Sequence, residues 1–206
     1  KSTLLKIING DLRNDEGELY IDGQQVTLHT PQEALAHGIS VIYQERQLIP
    51  YMSVMENIFL GDLPKTKLGL YDKRKLIKDT EKIISDFGLN IDPQEPVGML
   101  NVAYQQMVEI MKAYSRENLK VICFDEPTAS LSDAEIEVLF DLIRKQKEQG
   151  KVIIYVSHRL NEIFEISDEI VVLKDGNYVK TLITKDTTES ELIKCMVGRD
   201  IRDTYA

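Results

Sequence analysis

Four polar side chains that could handle a proton or a metal ion lie within two residues of the end of a short apolar stretch: Gln44, Asp125, Glu126 and His158. Open parallel sheets bind ligands at the carboxyl ends of their strands, so we expect these groups to share one crevice. A strand-bound aspartate can hold Mg²⁺ through water, and a neighbouring glutamate can orient or deprotonate an attacking water. Each residue alone is ordinary. Their shared position predicts a reactive site.

A second candidate feature is the opening tripeptide Lys1-Ser2-Thr3, which begins a short helix. We expect the apolar face of that helix to comprise Leu4, Leu5, Ile7 and Ile8. At the end of a phosphate-binding loop such a lysine reaches the β- and γ-phosphates, and a hydroxyl binds Mg²⁺. The tripeptide alone is equally an ordinary helix start, so its interpretation depends on the predicted crevice.

Three apolar strands must position these side chains, and the sequence predicts them at residues 39–43, 121–124 and 152–156. A helix capped at Ser132 and ended by Gly150 joins the last two strands. Two buried strands joined by such a helix form a right-handed βαβ unit in a parallel sheet. The sequence therefore predicts an α/β fold.

Two antiparallel hairpins are predicted outside this sheet. Residues 17–26 and 170–179 each turn at an Asp-Gly pair, which is the strongest short signal for a hairpin. Residues 30–33 (TPQE) form a capping box that starts a helix ended by Gly38. These elements add an antiparallel β portion to the parallel core.

The middle of the chain has mostly helical periodicity, with another capping box at residues 53–56 (SVME). We predict a single domain over residues 1–206. Its core subdomain comprises residues 1–62 and 119–206, and a helical subdomain comprises residues 63–118.

Composition and charge exclude several classes of protein. With 25 lysine and arginine residues against 34 aspartate and glutamate residues, the net charge is −9, which repels a nucleic-acid backbone. Cys123 and Cys195 lack CxxC spacing, so we expect no zinc site and assign both to packing. No apolar run reaches the roughly 18 residues that span a bilayer. The sequence favours a soluble intracellular protein with no nucleic-acid partner.

Taken in order, these motifs resemble the nucleotide-binding domain of ABC transporters over nearly the whole chain. The most specific match is residues 124–131 (FDEPTASL). The resemblance implies a P-loop NTPase fold of the RecA type, with a parallel-sheet core, an antiparallel β portion and an inserted α-helical subdomain. It also implies that the N-terminal strands and the phosphate-binding glycines precede Lys1, so we expect these residues alone to bind ATP poorly.

The same resemblance assigns roles to single residues. It implies catalytic roles for Glu126, His158 and Gln44. ATP binding is assigned to Lys1, Ser2, Thr3, Gln44, Asp125 and Asn101. Mg²⁺ binding is assigned to Ser2, Gln44 and Asp125.

A finer resemblance is to the sugar-import ATPases of the ribose and galactose type, in which two nucleotide-binding domains are fused. It rests on residues 48–50 (LIP), 53–61 (SVMENIFLG), 105–110 (QQMVEI) and 196–201 (MVGRDI), which look like that family's first half. The implied function is ATP hydrolysis that drives carbohydrate import at the cytoplasmic face of the membrane. The implied partners are a second nucleotide-binding domain, a transmembrane permease and, indirectly, a periplasmic or extracellular sugar-binding protein.

One segment departs from the family pattern. The signature, usually Leu-Ser-Gly-Gly-Gln, is LNVAY at residues 100–104. Asn101 can still cap the helix, since Asn is as good an N-cap as Ser. Ala103 and Tyr104 add side chains where a backbone must approach a phosphate. Two alternatives therefore stay open: a catalytically impaired or regulatory ABC domain, and a soluble ABC ATPase without a transport role.

Overall fold

The computed structural model describes residues 1–45, 47–66 and 69–197. In chain order the helices are α1 (Ser2–Ile8), α2 (Pro31–Ala36), α3 (Val54–Ile58), α4 (Lys73–Asp86), α5 (Val102–Tyr114), α6 (Asp133–Glu148), α7 (Leu160–Ile166) and α8 (Glu189–Val197). The strands are β1 (Leu19–Ile21), β2 (Gln24–Val26), β3 (Ile39–Ile42), β4 (Val121–Asp125), β5 (Val152–Val156), β6 (Glu169–Lys174) and β7 (Asn177–Ile183). Residues 198–201, which carry part of the finer resemblance, lie outside the described ranges.

Within the described ranges, a parallel sheet in the order β3-β4-β5 forms the centre of the fold. The register pairs Ile42 with Phe124 and Asp125 with Val156, so the carboxyl ends of the three strands share one edge. Helix α6 lies between β4 and β5 in the chain, and the two strands pair directly. The predicted parallel sheet and its joining helix are confirmed.

The two predicted hairpins are also confirmed. Strand β1 pairs with β2 and β6 pairs with β7, both antiparallel. Asp22 and Asp175 each have a φ of 51°, and each is followed by a glycine of positive φ. Tight hairpin turns need this left-handed backbone at two consecutive positions, which explains why the Asp-Gly pairs located them.

One buried cluster joins the parallel sheet to the central helices. It contains Ile42 and Phe124 from the sheet together with Phe87 and Met107 from the helical segment. Burying apolar area against both layers stabilises the helices on the sheet. The cluster crosses the expected boundary of the helical subdomain at residues 63–118, and that division stays a prediction.

Two local expectations from the sequence need correction. Leu4 is exposed, because the face of α1 that packs on the sheet is centred between Leu5 and Ile8, which are both buried. The Glu33 carboxylate accepts a hydrogen bond from His29 N–H at 2.8 Å, and not from the N-cap residue of α2 as a full capping box requires.

These elements make the mixed α/β fold that the sequence predicts, with a parallel centre, antiparallel hairpins and helices between the strands. In the ranges that the structure describes, no helix combines the length and the apolar character needed to cross a bilayer.

Candidate active site

Glu126 and His158 meet at the carboxyl edge of the parallel sheet. Glu126 directly follows β4, and its backbone N–H donates to the Val156 carbonyl oxygen at 2.9 Å. Its φ of 50° lies in the left-handed region that non-glycine residues rarely adopt. The Glu126 Oε1 atom lies 3.1 Å from His158 Nδ1. The unusual backbone thus brings the carboxylate to the histidine that follows the neighbouring strand.

Solvent reaches this pair. The His158 side chain is 66% exposed and the Glu126 side chain 29% exposed. An ionised carboxylate only accepts hydrogen bonds, whereas an imidazole can donate one. The Glu126 carboxylate can also accept a hydrogen bond from a water molecule, and an imidazole protonated on both nitrogens can donate from Nδ1 to Glu126 and from Nε2 to a negatively charged oxygen.

Lys1 lies at the same edge. Its Nζ donates to the backbone carbonyl oxygen directly before His158, at 3.5 Å. Helix α1 begins at the next residue, so Ser2 and Thr3 occupy its exposed first turn. The structure thus brings Lys1, Glu126 and His158 together, three of the residues that the sequence predicted.

Asp125 and Gln44 occupy the strand ends expected of them. Asp125 is the last residue of β4 and is buried. Gln44 is exposed and lies two residues beyond Ile42, the end of β3. Among the described residues, Lys1 Nζ donates to the Ser157 carbonyl oxygen and Glu126 contacts His158, whereas no side-chain hydrogen bond joins Gln44 or Asp125 to these residues.

Three oxygen-bearing side chains of the candidate site suit a magnesium ion that binds together with a phosphate group. The Ser2 hydroxyl, the Gln44 amide and the Asp125 carboxylate offer hard oxygen atoms, which Mg²⁺ prefers. Within the described ranges, no group of three or more His, Cys, Asp or Glu residues could cage a metal. Since Mg²⁺ usually binds through one or two carboxylates and substrate phosphates, this sparse set fits it.

Asn101 caps α5, as the sequence predicted. Its Oδ1 accepts a hydrogen bond from Tyr104 N–H at 2.8 Å. Asn101 is exposed. The cap bond does not join Asn101 to Glu126 or His158.

The sequence analysis missed one residue behind the site. Glu162, in the first turn of α7, is only 2% exposed. Its carboxylate accepts hydrogen bonds from Thr128, Tyr155, Ser157 and Arg159. The signal that could have found it is the helical spacing of Leu160, Ile163 and Phe164, which predicts α7 and places Glu162 near its start.

The electrostatics of nearby groups follow from burial. Burial raises the pKa of the Tyr155 phenol, and the charge of Glu162 raises it further. Burial also raises the pKa of the Cys123 thiol to about 12. Cys123 is therefore an uncharged packing residue at neutral pH, in line with its assignment from the sequence.

The sequence model of the ABC transporter family matches residues 1–129, which is more than half of the chain. The chain is 48% identical to the arabinose import ATP-binding protein AraG of Mannheimia succiniciproducens. It is 45% identical to the putative ribose/galactose/methyl galactoside import ATP-binding protein 2 of Burkholderia lata. The alignments cover 100% of this chain but 41% and 39% of these relatives, so the chain spans about two fifths of their length.

Solved structures agree on the fold. An ATP-binding cassette of an ABC transporter in its ADP conformation has a TM-score of 0.77 and 24% sequence identity, covering 100% of this chain and 82% of that chain. A dimeric ATP-binding cassette bound to ADP and Pi has a TM-score of 0.74 and 25% identity, covering 89% of this chain and 80% of that chain. The expected nucleotide-binding fold is confirmed.

Proposed function

Because this chain belongs to the ABC transporter family, we propose that it binds and hydrolyses Mg-ATP to drive the import of a carbohydrate. The observation that carries the proposal is the 3.1 Å contact between Glu126 Oε1 and His158 Nδ1, beside Lys1 at the carboxyl edge of the sheet. A carboxylate can act as the general base for an attacking water, and an imidazole and an ammonium group can stabilise charge on the phosphate oxygens.

Three side chains would act on the reacting groups. Glu126 orients the attacking water and accepts its proton as the new P–O bond forms, while the bond between the γ-phosphorus and the bridging oxygen breaks and ADP leaves with that oxygen. His158 donates a hydrogen bond to an oxygen of the γ-phosphate. Lys1 balances the charge on the β- and γ-phosphates, which is stabilisation of the kind that lowers the barrier of phosphoryl transfer.

The metal-binding residues of the proposal are Ser2, Gln44 and Asp125. Bound with ATP, Mg²⁺ supplies positive charge that neutralises the phosphate oxygens. Asp125 is buried at the end of β4, so its carboxylate would be held rigidly for this task. Gln44 is exposed and follows the edge strand β3, so it can respond both to the ion and to a partner protein.

A second nucleotide-binding domain is part of the proposal. Asn101, Ala103 and Tyr104 would face the nucleotide of that domain, since the signature segment acts across a dimer. The longer relatives leave room for a fused second domain, and a dimeric cassette is among the similar structures. Asn101 offers a polar side chain for this contact, whereas the Ala103 and Tyr104 side chains would keep the backbone away from a phosphate.

The proposed membrane partner is a transmembrane permease, with the chain at the cytoplasmic face and a sugar-binding protein acting indirectly on the far side. Two neighbouring segments carry exposed apolar side chains, Tyr51 and Met99. The Gly98 N–H donates to the Pro50 carbonyl oxygen at 2.9 Å, which joins the two segments. Exposed apolar groups of this kind favour a protein contact. The names of the relatives support a carbohydrate as the cargo.

The altered signature favours a second candidate, a catalytically impaired or regulatory domain. In the first candidate the altered signature weakens hydrolysis only at the site of the partner domain. In the second candidate the site with Glu126 and His158 does not contribute to turnover either. The two candidates therefore differ in whether Glu126 contributes to turnover.

The test is ATP hydrolysis by the full-length protein carrying Glu126→Gln. Loss of a general base costs about 10²- to 10⁴-fold in rate, and Mg-ATP binding should persist because Glu126 is not a phosphate ligand in the proposal. The matched control is Glu137→Gln, an exposed glutamate on α6. A rate unchanged by Glu126→Gln would contradict the motor function and favour the impaired domain.

A further inference from the structure

Glu162 is a buried carboxylate that the proposed reaction does not use directly. Each of its oxygens accepts two hydrogen bonds. Oε1 accepts from Thr128 Oγ1 at 2.7 Å and from Arg159 Nη1 at 3.2 Å. Oε2 accepts from Ser157 Oγ at 2.9 Å and from the Tyr155 hydroxyl at 3.0 Å. An ionised carboxylate has about four lone-pair positions, so this one is fully satisfied.

The four donors belong to the segments that carry the reacting side chains. Thr128 is two residues after Glu126 and is itself buried. Ser157 and Arg159 flank His158 in the chain, and the Arg159 N–H also donates to Ser157 Oγ at 3.0 Å. Glu162 thus joins the segment after β4 to the segment after β5 from the protein side, whereas Glu126 and His158 meet on the solvent side.

We infer that Glu162 is a positioning residue that holds the Glu126 and His158 side chains at their working distance. The inference rests on the proposed ATP hydrolysis. A buried carboxylate with four donors has little freedom to move, because a displacement leaves the buried hydroxyl of Thr128 or Ser157 without its acceptor. Both segments are therefore fixed to one group, and the distance between their reacting side chains is fixed with them.

Glu162→Gln tests this role without changing the shape of the side chain. The new NH₂ group can still donate to a hydroxyl of Thr128, Tyr155 or Ser157, but the variant loses the charge that strengthens all four hydrogen bonds and the ion pair with Arg159. Both segments are therefore held more weakly. A displacement of about 1 Å in a reacting group can cost about a hundredfold in rate. In the full-length protein we expect kcat to fall by about ten- to a hundredfold, while KM for Mg-ATP changes less than about twofold.

Two comparisons separate positioning from general stability. Glu165→Gln, on the exposed side of α7, should leave kcat unchanged, because Glu165 pairs with Arg144 away from the cluster. Tyr155 lies on β5, which is already held by its pairing with β4. Tyr155→Phe should therefore lower kcat less than Thr128→Val, which removes the donor in the segment after β4. An equal loss of kcat in Tyr155→Phe and Thr128→Val would overturn the inference.

A double substitution tests whether Glu162 acts through His158. In a His158→Ala background, Glu162→Gln should have a smaller further effect on kcat than in the unsubstituted protein, because one of the two side chains that it positions is gone. A further loss as large as in the unsubstituted background would show that Glu162 acts by another route.

A spectroscopic measurement tests the inference independently of ATP turnover. The ¹⁵N signals of the His158 ring, identified by their absence in His158→Ala, report the contact between Nδ1 and Glu126. We expect the Nδ1 signal to move in Glu162→Gln and to stay in place in Glu165→Gln. An unmoved signal in Glu162→Gln overturns the inference, whereas absence of ATP hydrolysis in the unsubstituted protein counts only against the proposed function.

Discussion

Glu162 and Glu109 are both buried carboxylates beside segments of the candidate site, yet their surroundings differ. Glu162 is 2% exposed, and both of its oxygens have two hydrogen-bond donors. Glu109, on α5, is 8% exposed, and within the described part of the chain its Oε2 has no hydrogen-bond partner. Both carboxylates are therefore buried, but only the Glu162 carboxylate has hydrogen-bond donors at both of its oxygens.

The Glu109 region lies under the segment that follows Gln44. Lys112 Nζ is 3.8 Å from Glu109 Oε1 and donates to the Gln47 carbonyl oxygen at 3.3 Å. Burial raises the pKa of Glu109, while the Lys112 charge and a backbone hydrogen bond from Gln47 lower it by less. The charge on Glu109 is thus sensitive to its few neighbours and to pH.

The contrast separates a fixed region from an adjustable one. A buried carboxylate whose donors are all present holds its neighbours in one geometry. A buried carboxylate with an unpaired oxygen pays for desolvation without full compensation, so small changes shift its protonation. The edge with Glu126 and His158 is held by the fully hydrogen-bonded carboxylate of Glu162. The segment after Gln44 lies beside Glu109, which has an unpaired oxygen.

The largest expected effect on stability is that of Glu162→Gln. The variant loses the charge that strengthens its four hydrogen bonds, and Arg159 loses its ion-pair partner, so the free energy of unfolding falls by about 2 to 3 kcal/mol. Urea unfolding at neutral pH measures the loss as a lower midpoint with an unchanged slope. A loss below about 1 kcal/mol would mean that the four hydrogen bonds contribute no more than exposed ones, and the contrast with Glu109 would fail.

The next effect is that of Lys112→Met, which removes the positive charge nearest to Glu109. At neutral pH the free energy of unfolding should fall by about 1 to 2 kcal/mol, because an ionised buried carboxylate loses its partner. At about pH 4 the loss should shrink, since Glu109 is then protonated and needs no partner. Urea unfolding at the two pH values measures this loss of stability. An equal loss at both would show that Glu109 is not the reason for it.

Much of the fold follows from local chemistry in the sequence. The Asp22 and Asp175 turns were predicted because each Asp is followed by Gly, and that pair adopts the left-handed backbone of hairpin turns. The shared edge of Asp125, Glu126 and His158 was predicted because parallel strands place their carboxyl ends together.

The supporting contacts of the site could not be predicted in the same way. Thr128 and Glu162 are 34 positions apart, and their hydrogen bond depends on how α7 packs behind the sheet. The positive φ of Glu126 has no local signal, because it is held by a hydrogen bond to Val156 on the next strand. Long-range packing decides such contacts, and residue spacing does not report it.

A smaller effect is expected from Glu109→Gln, and its direction depends on pH. A carboxyl whose pKa is higher in the folded state destabilises that state once the pH rises above its unfolded value, about 4.3. The unsubstituted protein should therefore lose stability relative to the variant as pH rises through this window. Urea unfolding from pH 4 to 7 measures the difference between the two curves. Parallel curves would contradict the raised pKa of Glu109.

The smallest effect is expected from Glu165→Gln, which sets the scale for a carboxylate on the same helix as Glu162 but in water. Glu165 is exposed, and its Oε1 lies 2.7 Å from Nη2 of Arg144, whose Nη1 pairs with Asp141. Exposed ion pairs contribute about 0.5 kcal/mol or less, and salt screens them. The free energies of unfolding of the variant and the unsubstituted protein, measured with urea, should agree within that amount both in low salt and in 1 M salt. A larger loss would mean that α7 is held mainly by its surface pair, and the effect of Glu162→Gln could then not be assigned to the buried hydrogen bonds.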